Sequence, residues 1–398
     1  MRRIGTSVRD YDWGSTEAVP LMWGWPVTGR PVAEVWVGAH PHAPSDVHDG
    51  TDLSLDRWLQ ECPPSALGDD LPRFGRTLPF LLKVLAAERP LSIQVHPTRE
   101  QAKRRFVEEE AGGLPSTHPQ RTYRDAEHKP ETLLALTPFE VLCGFREPAA
   151  SRAALEALAV AELAPLTALL AAAEADGAAL AGALRWVLEL EQGSAVVVGA
   201  TEAARARTAA GTATADDALL LRLATTWPGD RGVLAALLLR HLVLAPGEAV
   251  HLPAGNVHAY LRGTGVEVMA SSDNVVRGGL TNKHVDVAEF LDVADCVVLP
   301  PPLVRAVAGP IGESVLRSAA EEFELAVHDL PAVAGRVDHS GLQVVLCVSG
   351  RAEVVSSRSG EVLALAAGEA ALVTADDGPV ELRGDGLLVR ATTRSRTA

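Results

Sequence analysis

Hydrophobic and polar positions change rhythm twice along the 398-residue chain. Up to about residue 148, apolar residues come in short runs such as Val35-Trp-Val-Gly38 and Leu78 to Ala87. Pro- and Gly-rich turns separate these runs, which predicts strands in a sandwich or barrel. In Leu91-Ser-Ile-Gln-Val-His96 the alternation is strict. Leu91, Ile93 and Val95 face one way, and Ser92, Gln94 and His96 face the other. From Pro148 to about Arg240 the spacing turns helical, in Ala- and Leu-rich segments broken at Gly193-Ser194 and Gly211-Thr-Ala-Thr214. Helices packing on one another account for that much alanine. Strand-like runs resume from Leu242.

One pattern occurs twice. Leu244-Ala-Pro-Gly-Glu-Ala249 opens an apolar strand, and Leu365-Ala-Ala-Gly-Glu-Ala370 does the same. This turn-Gly-Glu-Ala-strand unit resembles those of cupin jelly rolls and predicts an internal duplication. The first copy continues to His258, whereas the second carries no histidine there. The expected fold is mainly β: duplicated cupin (jelly-roll) domains with an inserted α-helical domain. The expected divisions are residues 1–148 and 242–300 for the first cupin, 149–241 for the helices, and 301–398 for a second cupin without metal ligands.

Charge narrows the partners. The formal net charge of −15 repels nucleic acid and anionic membranes, so an anionic ligand needs a locally basic pocket. No uninterrupted apolar run reaches the roughly 18 residues of a membrane span. Met1 to Trp13 carries no apolar signal core, and the four cysteines form no CxxC pair. A cytoplasmic protein with reduced thiols is expected, either a monomer or a weak homo-oligomer. Only four lysines (Lys83, Lys103, Lys129, Lys283) stand among 36 basic residues. Where arginine serves as the generic cation, a retained lysine marks a place for a compact ammonium or a tunable pKa.

Candidate chemistry follows from spacing. Gln94 and His96 share a strand face about 7 Å apart, within reach of one metal, although a solvated face gives the same pattern. His258 ends the turn Pro253-Ala-Gly-Asn-Val257, and Glu131 opens the run Thr132 to Leu136. A buried, satisfied histidine is the competing account of His258. Two imidazoles, an amide oxygen and a carboxylate make a mixed donor set that suits Zn²⁺, with Mn²⁺, Co²⁺ or Fe²⁺ as substitutes. His40-Pro-His42 has ligand spacing too, but no carboxylate lies near it in the sequence. Glu267, between apolar neighbours, is a candidate general base or simply an exposed strand residue.

The motifs Tyr11-Asp-Trp-Gly14, Ala33-Glu-Val-Trp-Val-Gly38, Pro79-Phe-Leu-Leu-Lys83, Leu91 to Pro97, His128-Lys-Pro-Glu131, Trp227-Pro-Gly-Asp230, Leu244 to Tyr260 and Ser272-Asp-Asn-Val-Val-Arg277 occur in this order. Together they resemble the zinc-dependent, cupin-type phosphomannose isomerases over most of the chain. The resemblance implies that Gln94, His96, Glu131 and His258 bind one zinc and that Arg277 is the catalytic arginine. It implies interconversion of mannose 6-phosphate and fructose 6-phosphate through a cis-enediol. Glu267, Lys129 and His128 are then candidates for proton transfer, and Ser92, Lys83, Lys283, Trp13 and Tyr260 for substrate contact. A metal-dependent cupin oxygenase and a non-catalytic sugar-phosphate-binding cupin are the alternatives. Three departures from the relatives stand out: Gly278 where Ala is common, Asn282 where Pro is common, and a longer polar stretch from Gly112 to Asp125, which could alter a lid.

Overall fold

Alternation along Phe80–Ala87 organises the first half of the molecule. Phe80, Leu82, Val84 and Ala86 point to one apolar layer, while Leu81, Lys83 and Leu85 point to the opposite face. The same split runs through its neighbours. His258–Ala270 sends Val266 and Val268 outward and Glu267 and Met269 inward, and Glu34–Gly38 sends Val35 and Val37 outward and Trp36 inward. Register then aligns the inward residues. Trp36, Lys83, Glu267 and Leu133 lie on one rung, and Leu81, Met269 and Glu131 on another.

The computed structural model describes residues 1–172 and 176–394. Its strands form two antiparallel sheet systems of eleven and ten strands, matching the expected duplicated, mainly β architecture. Val35, Leu82 and Val268 of the first share a single core with Leu325, Val344 and Val389 of the second. Both repeated turns are built alike. Gly247 and Gly368 adopt φ of 89° and 85°, where glycine is favoured. Glu248 accepts from Ala245 N (2.8 Å) and Glu369 from Ala366 N (2.7 Å). Gly247 N bonds Ala135 O as Gly368 N bonds Cys347 O, both at 2.8 Å. Strand Gln343–Cys347 therefore corresponds to Glu131–Ala135, which puts Gln343 where the first copy has Glu131.

The helices leave the first sheet after Phe139–Phe145 and return at Leu239–Leu244, two strands that pair with each other. An excursion that starts and ends on neighbouring strands leaves the sheet uninterrupted. Thr214 and Asp217 cap Ala215–Thr226 reciprocally, a signal already present in the sequence. Ala195–Ala209 is helical despite Val196-Val-Val198, because Ser194 caps it and Val197, Ala200 and Ala204 fall on one buried face. Among the described residues no helix is long and apolar enough to cross a membrane.

Two strands cross the divisions expected from sequence. Arg2–Ile4 pairs with Ala370–Val373 in the second sheet, and Leu303–Val304 pairs with Ala249–Leu252 in the first. Both are too short to carry a periodicity of their own, and their partners are remote. Residues 395–398 of the expected second cupin lie outside the described residues.

Candidate metal centre and active site

The inward rungs, strand Ile93–Val95 and the inner end of His258–Ala270 enclose a cavity of about 370 Å³. Ile93 and Val95 sink into the core beneath the helices, which leaves Ser92 and Gln94 on the cavity wall. Gln94 sits directly across from both His258 and Arg277.

His96, Glu131 and His258 converge with at most 2% exposure each. The Nε2 atoms of His96 and His258 lie 3.4 Å from Glu131 Oε1 and Oε2 respectively. Their Nδ1 atoms face carbonyl oxygens, His96 that of Asn274 (2.8 Å) and His258 that of Asn256 (2.9 Å). A carbonyl can only accept, so each Nδ1 carries the proton and each Nε2 presents a lone pair. Burial drives the His96 pKa down to about 4, which keeps that ring neutral. Burial alone would raise Glu131, but Lys129 and the flanking imidazoles outweigh it and hold the carboxyl well below its usual range. His96 Nε2, His258 Nε2 and Glu131 Oε2 are buried without a hydrogen-bond partner among the described residues. Three proton-free donor atoms facing one another repel unless a cation lies between them. With Gln94 adjacent, the donor set fits a zinc-like ion.

The next rung is acidic and cationic. Lys83 donates to Glu267 Oε2 (3.0 Å) and Tyr260 to Glu267 Oε1 (2.8 Å). Burial raises the Glu267 carboxyl, with Lys83 opposing, and the expectation of an exposed strand residue is set aside by its 3% exposure. Burial lowers Lys83, but Glu267 and Glu34 outweigh it and leave its pKa raised. Lys83 is thus committed to a carboxylate and is not a free cation for an anionic ligand. Lys129 Nζ lies 3.1 Å from Glu131 Oε1. Arg277 and Lys283 also line the cavity, and among the described residues neither has a carboxylate within ion-pair distance. Burial lowers both, and Lys283 is lowered further by Arg277 and Arg124. Three of the four lysines line this cavity, as does Trp13.

Contacts that local sequence does not reveal hold these groups. Asn274 is fully buried. Its carbonyl fixes His96, its side-chain Nδ2 donates to Asp125 O (2.8 Å) and Glu127 O (2.8 Å), and its Oδ1 accepts from Arg124 N (2.7 Å). Asp230 accepts from Gly232 N (2.6 Å) and Leu280 N (2.8 Å), so the Trp227-Pro-Gly-Asp motif fastens the helical block to the strand bearing Arg277. Gly278 has a clear reason to lack a side chain. A Cβ there would stand 2.7 Å from two ring carbons of Phe290. Gly278→Ala is expected to lower stability by about 1–3 kcal/mol and to reduce turnover through Arg277. Thermal unfolding and kinetics read both, and an unchanged melting temperature removes this steric account.

Two expectations need correction. His128 does not line the cavity; its Nε2 lies 3.0 Å from Glu322 Oε1, so its ring faces away from the reacting centre. Alternation along the chain puts Lys129 inside and His128 outside. His40 and His42 do meet a carboxylate, the remote Asp273, at 3.5 and 2.8 Å. His42 N donates to His40 Nδ1 (3.3 Å), however, which places a proton on His40 Nε2 and makes that nitrogen a donor, not a ligand. The stretch Gly112 to Asp125 brings Arg124 near the cavity, where its charge acts on Arg277 and Lys283. Arg121 pairs with Glu109 and Glu110, and Asp125 is held by Asn274 and Ser272.

Fold and site together define a duplicated cupin whose first barrel carries a metal-ready centre beside a cation-lined cavity. A model of the phosphomannose isomerase type I catalytic domain matches residues 1–148. The chain is 34% identical to mannose-6-phosphate isomerase of Salmonella typhimurium, with 98% of this chain and 99% of that protein aligned. It is 38% identical to the human mannose-6-phosphate isomerase over 66% of this chain and 63% of that one. The crystal structure of the Salmonella typhimurium enzyme bound to substrate and zinc superposes with a TM-score of 0.90 at 32% identity, covering 99% of this chain and 100% of that one. The chain belongs to the mannose-6-phosphate isomerases of the type I phosphomannose isomerase family.

Proposed function

We propose that the protein interconverts mannose 6-phosphate and fructose 6-phosphate, moving a proton between C1 and C2 through a cis-enediol, with one Zn²⁺ held per chain. The observation that carries this reading is the proton-free cluster of His96, His258 and Glu131, with Arg277, which has no ion-pair partner among the described residues, lining the same cavity. Gln94, His96, Glu131 and His258 would hold the ion, which when bound supplies Lewis-acid stabilisation to the sugar oxygens. Arg277 stays protonated and donates to the oxygen on which enediolate charge develops. Lys283, with Ser92, receives the phosphate. A dianion there relieves the crowding of Lys283 by Arg277 and Arg124 that lowers its pKa. Trp13 and Tyr260 form walls, and Lys83, expected at the phosphate, instead orients Glu267.

Glu267 and Lys129 remain the two groups placed to move the proton, since His128 faces away. Glu267 lines the cavity with burial raising its carboxyl and Lys83 opposing, and a raised carboxyl is the direction that favours a base. The helical block at 149–241 walls the cavity through Trp227, and the second barrel supports the first. The net charge of −15 argues against nucleic-acid partners, and we take the protein as cytoplasmic and as a monomer or weak homo-oligomer.

The decisive test is conversion of mannose 6-phosphate by the purified chain before chelation, after chelation, and after Zn²⁺ is restored. Turnover lost and then regained is the expected result. A metal-loaded protein that binds the sugar phosphate without converting it would leave a sugar-phosphate-binding cupin.

A further inference from the structure

Glu322 belongs to the second sheet's side of the molecule, in the connection between strands Ser314–Leu316 and Glu324–Leu330, and is only 5% exposed. Its Oε1 accepts from Arg99 Nη2 and lies 3.0 Å from His128 Nε2. Those two nitrogens are themselves 2.8 Å apart. Among the described residues Glu322 Oε2 has no hydrogen-bond partner, so the orientation of the carboxylate rests on this one shared oxygen.

The positions of the two donors matter more than their charge. Arg99 starts helix Arg99–Ala111, three residues after His96, and His128 comes three residues before Glu131. Pro97 stiffens the first link and Pro130 the second, because proline fixes φ. One carboxylate from the second sheet therefore ties together the two segments that deliver His96 and Glu131. An exposed ion pair would contribute little to such a tie. A nearly buried carboxylate is different: its loss leaves His128 without this partner, while Arg99, 38% exposed, keeps only its pairing with Glu127 (3.2 Å).

We propose that Glu322 is a positioning residue for the metal centre, through which the second barrel sets the spacing of His96 and Glu131. The inference rests on the metal-centre reading above. Glu322→Ala in the full chain, loaded with Co²⁺, is expected to lose metal to a chelator roughly 10–100 times faster than the parent chain. Its cobalt visible absorption should shift, and far-ultraviolet circular dichroism should not. Glu322→Gln keeps an acceptor oxygen for both donors and is expected to recover most of the parent's retention.

Equal release rates and identical cobalt spectra for Glu322→Ala and the parent would overturn the proposal while leaving the metal centre intact. A parent chain that retains no metal would instead overturn the metal-centre reading, and the proposal with it. Should Glu322→Ala fail to fold, His128→Ala removes one of the two ties. It should speed metal release in the same direction but by less, and release at the parent rate overturns the proposal.

Discussion

His258→Ala is expected to strip the metal and lower kcat/KM by at least about 10³-fold, the scale of several kcal/mol of Lewis-acid stabilisation. This substitution is cleaner than one at Glu131. His258 makes one hydrogen bond, to Asn256 O, and its Nε2 has no partner, so its loss leaves no charge stranded. Removing Glu131 would leave the buried Lys129 ammonium without its carboxylate, and a folding defect would then imitate loss of catalysis. Metal content by elemental analysis and kcat/KM should fall together in His258→Ala, with the far-ultraviolet circular dichroism preserved. Stoichiometric metal with kcat/KM within about tenfold of the parent would exclude His258 as a ligand.

Arg277→Ala should lower kcat by about 10²–10³-fold while the metal stays bound. The guanidinium lies across from Gln94 and is half-buried, and among the described residues it has no carboxylate partner to satisfy its charge. Such a group is positioned for charge that appears only during the reaction, so the loss should fall on kcat more than on KM. Arg277→Lys keeps the charge but not the planar fork of donors, and it should recover only part of the rate. A large rise in KM with kcat unchanged would move Arg277 to phosphate binding and take it out of the reacting centre.

What can be read from sequence is local. Period two in Leu91 to His96 exposes Gln94 and His96 together because alternation needs no knowledge of partners. A strand start at Glu131 and a turn before His258 are equally local signals. The retained lysines give a second cue, since Lys83, Lys129 and Lys283 all reach the cavity. Their partners are not legible. The pairing of Lys83 with Glu267 follows from the register of two distant strands. Asp273 reaches His42 across most of the first barrel's sequence, and Glu322 reaches His128 from the second. His128 is misplaced by sequence for a related reason, because adjacency to Lys129 along a chain that alternates means opposite faces. Asn274 can be found only by asking what holds the far nitrogen of His96.

The pairing of Arg2–Ile4 with Ala370–Val373 also constrains the order of events during synthesis. Arg2 and its partner Leu372 lie 370 residues apart along the chain (372 − 2). At about 5–20 residues per second, the opening strand waits on the order of a minute before its neighbour exists. The first barrel can close while that strand is still unpaired, whereas the second cannot complete its sheet until Ala370–Val373 has emerged. Final assembly is thus a long-range step of high contact order, the kind that folds slowly. The ten-stranded sheet should be the last part to gain protection from hydrogen exchange, even though it includes Arg2–Ile4.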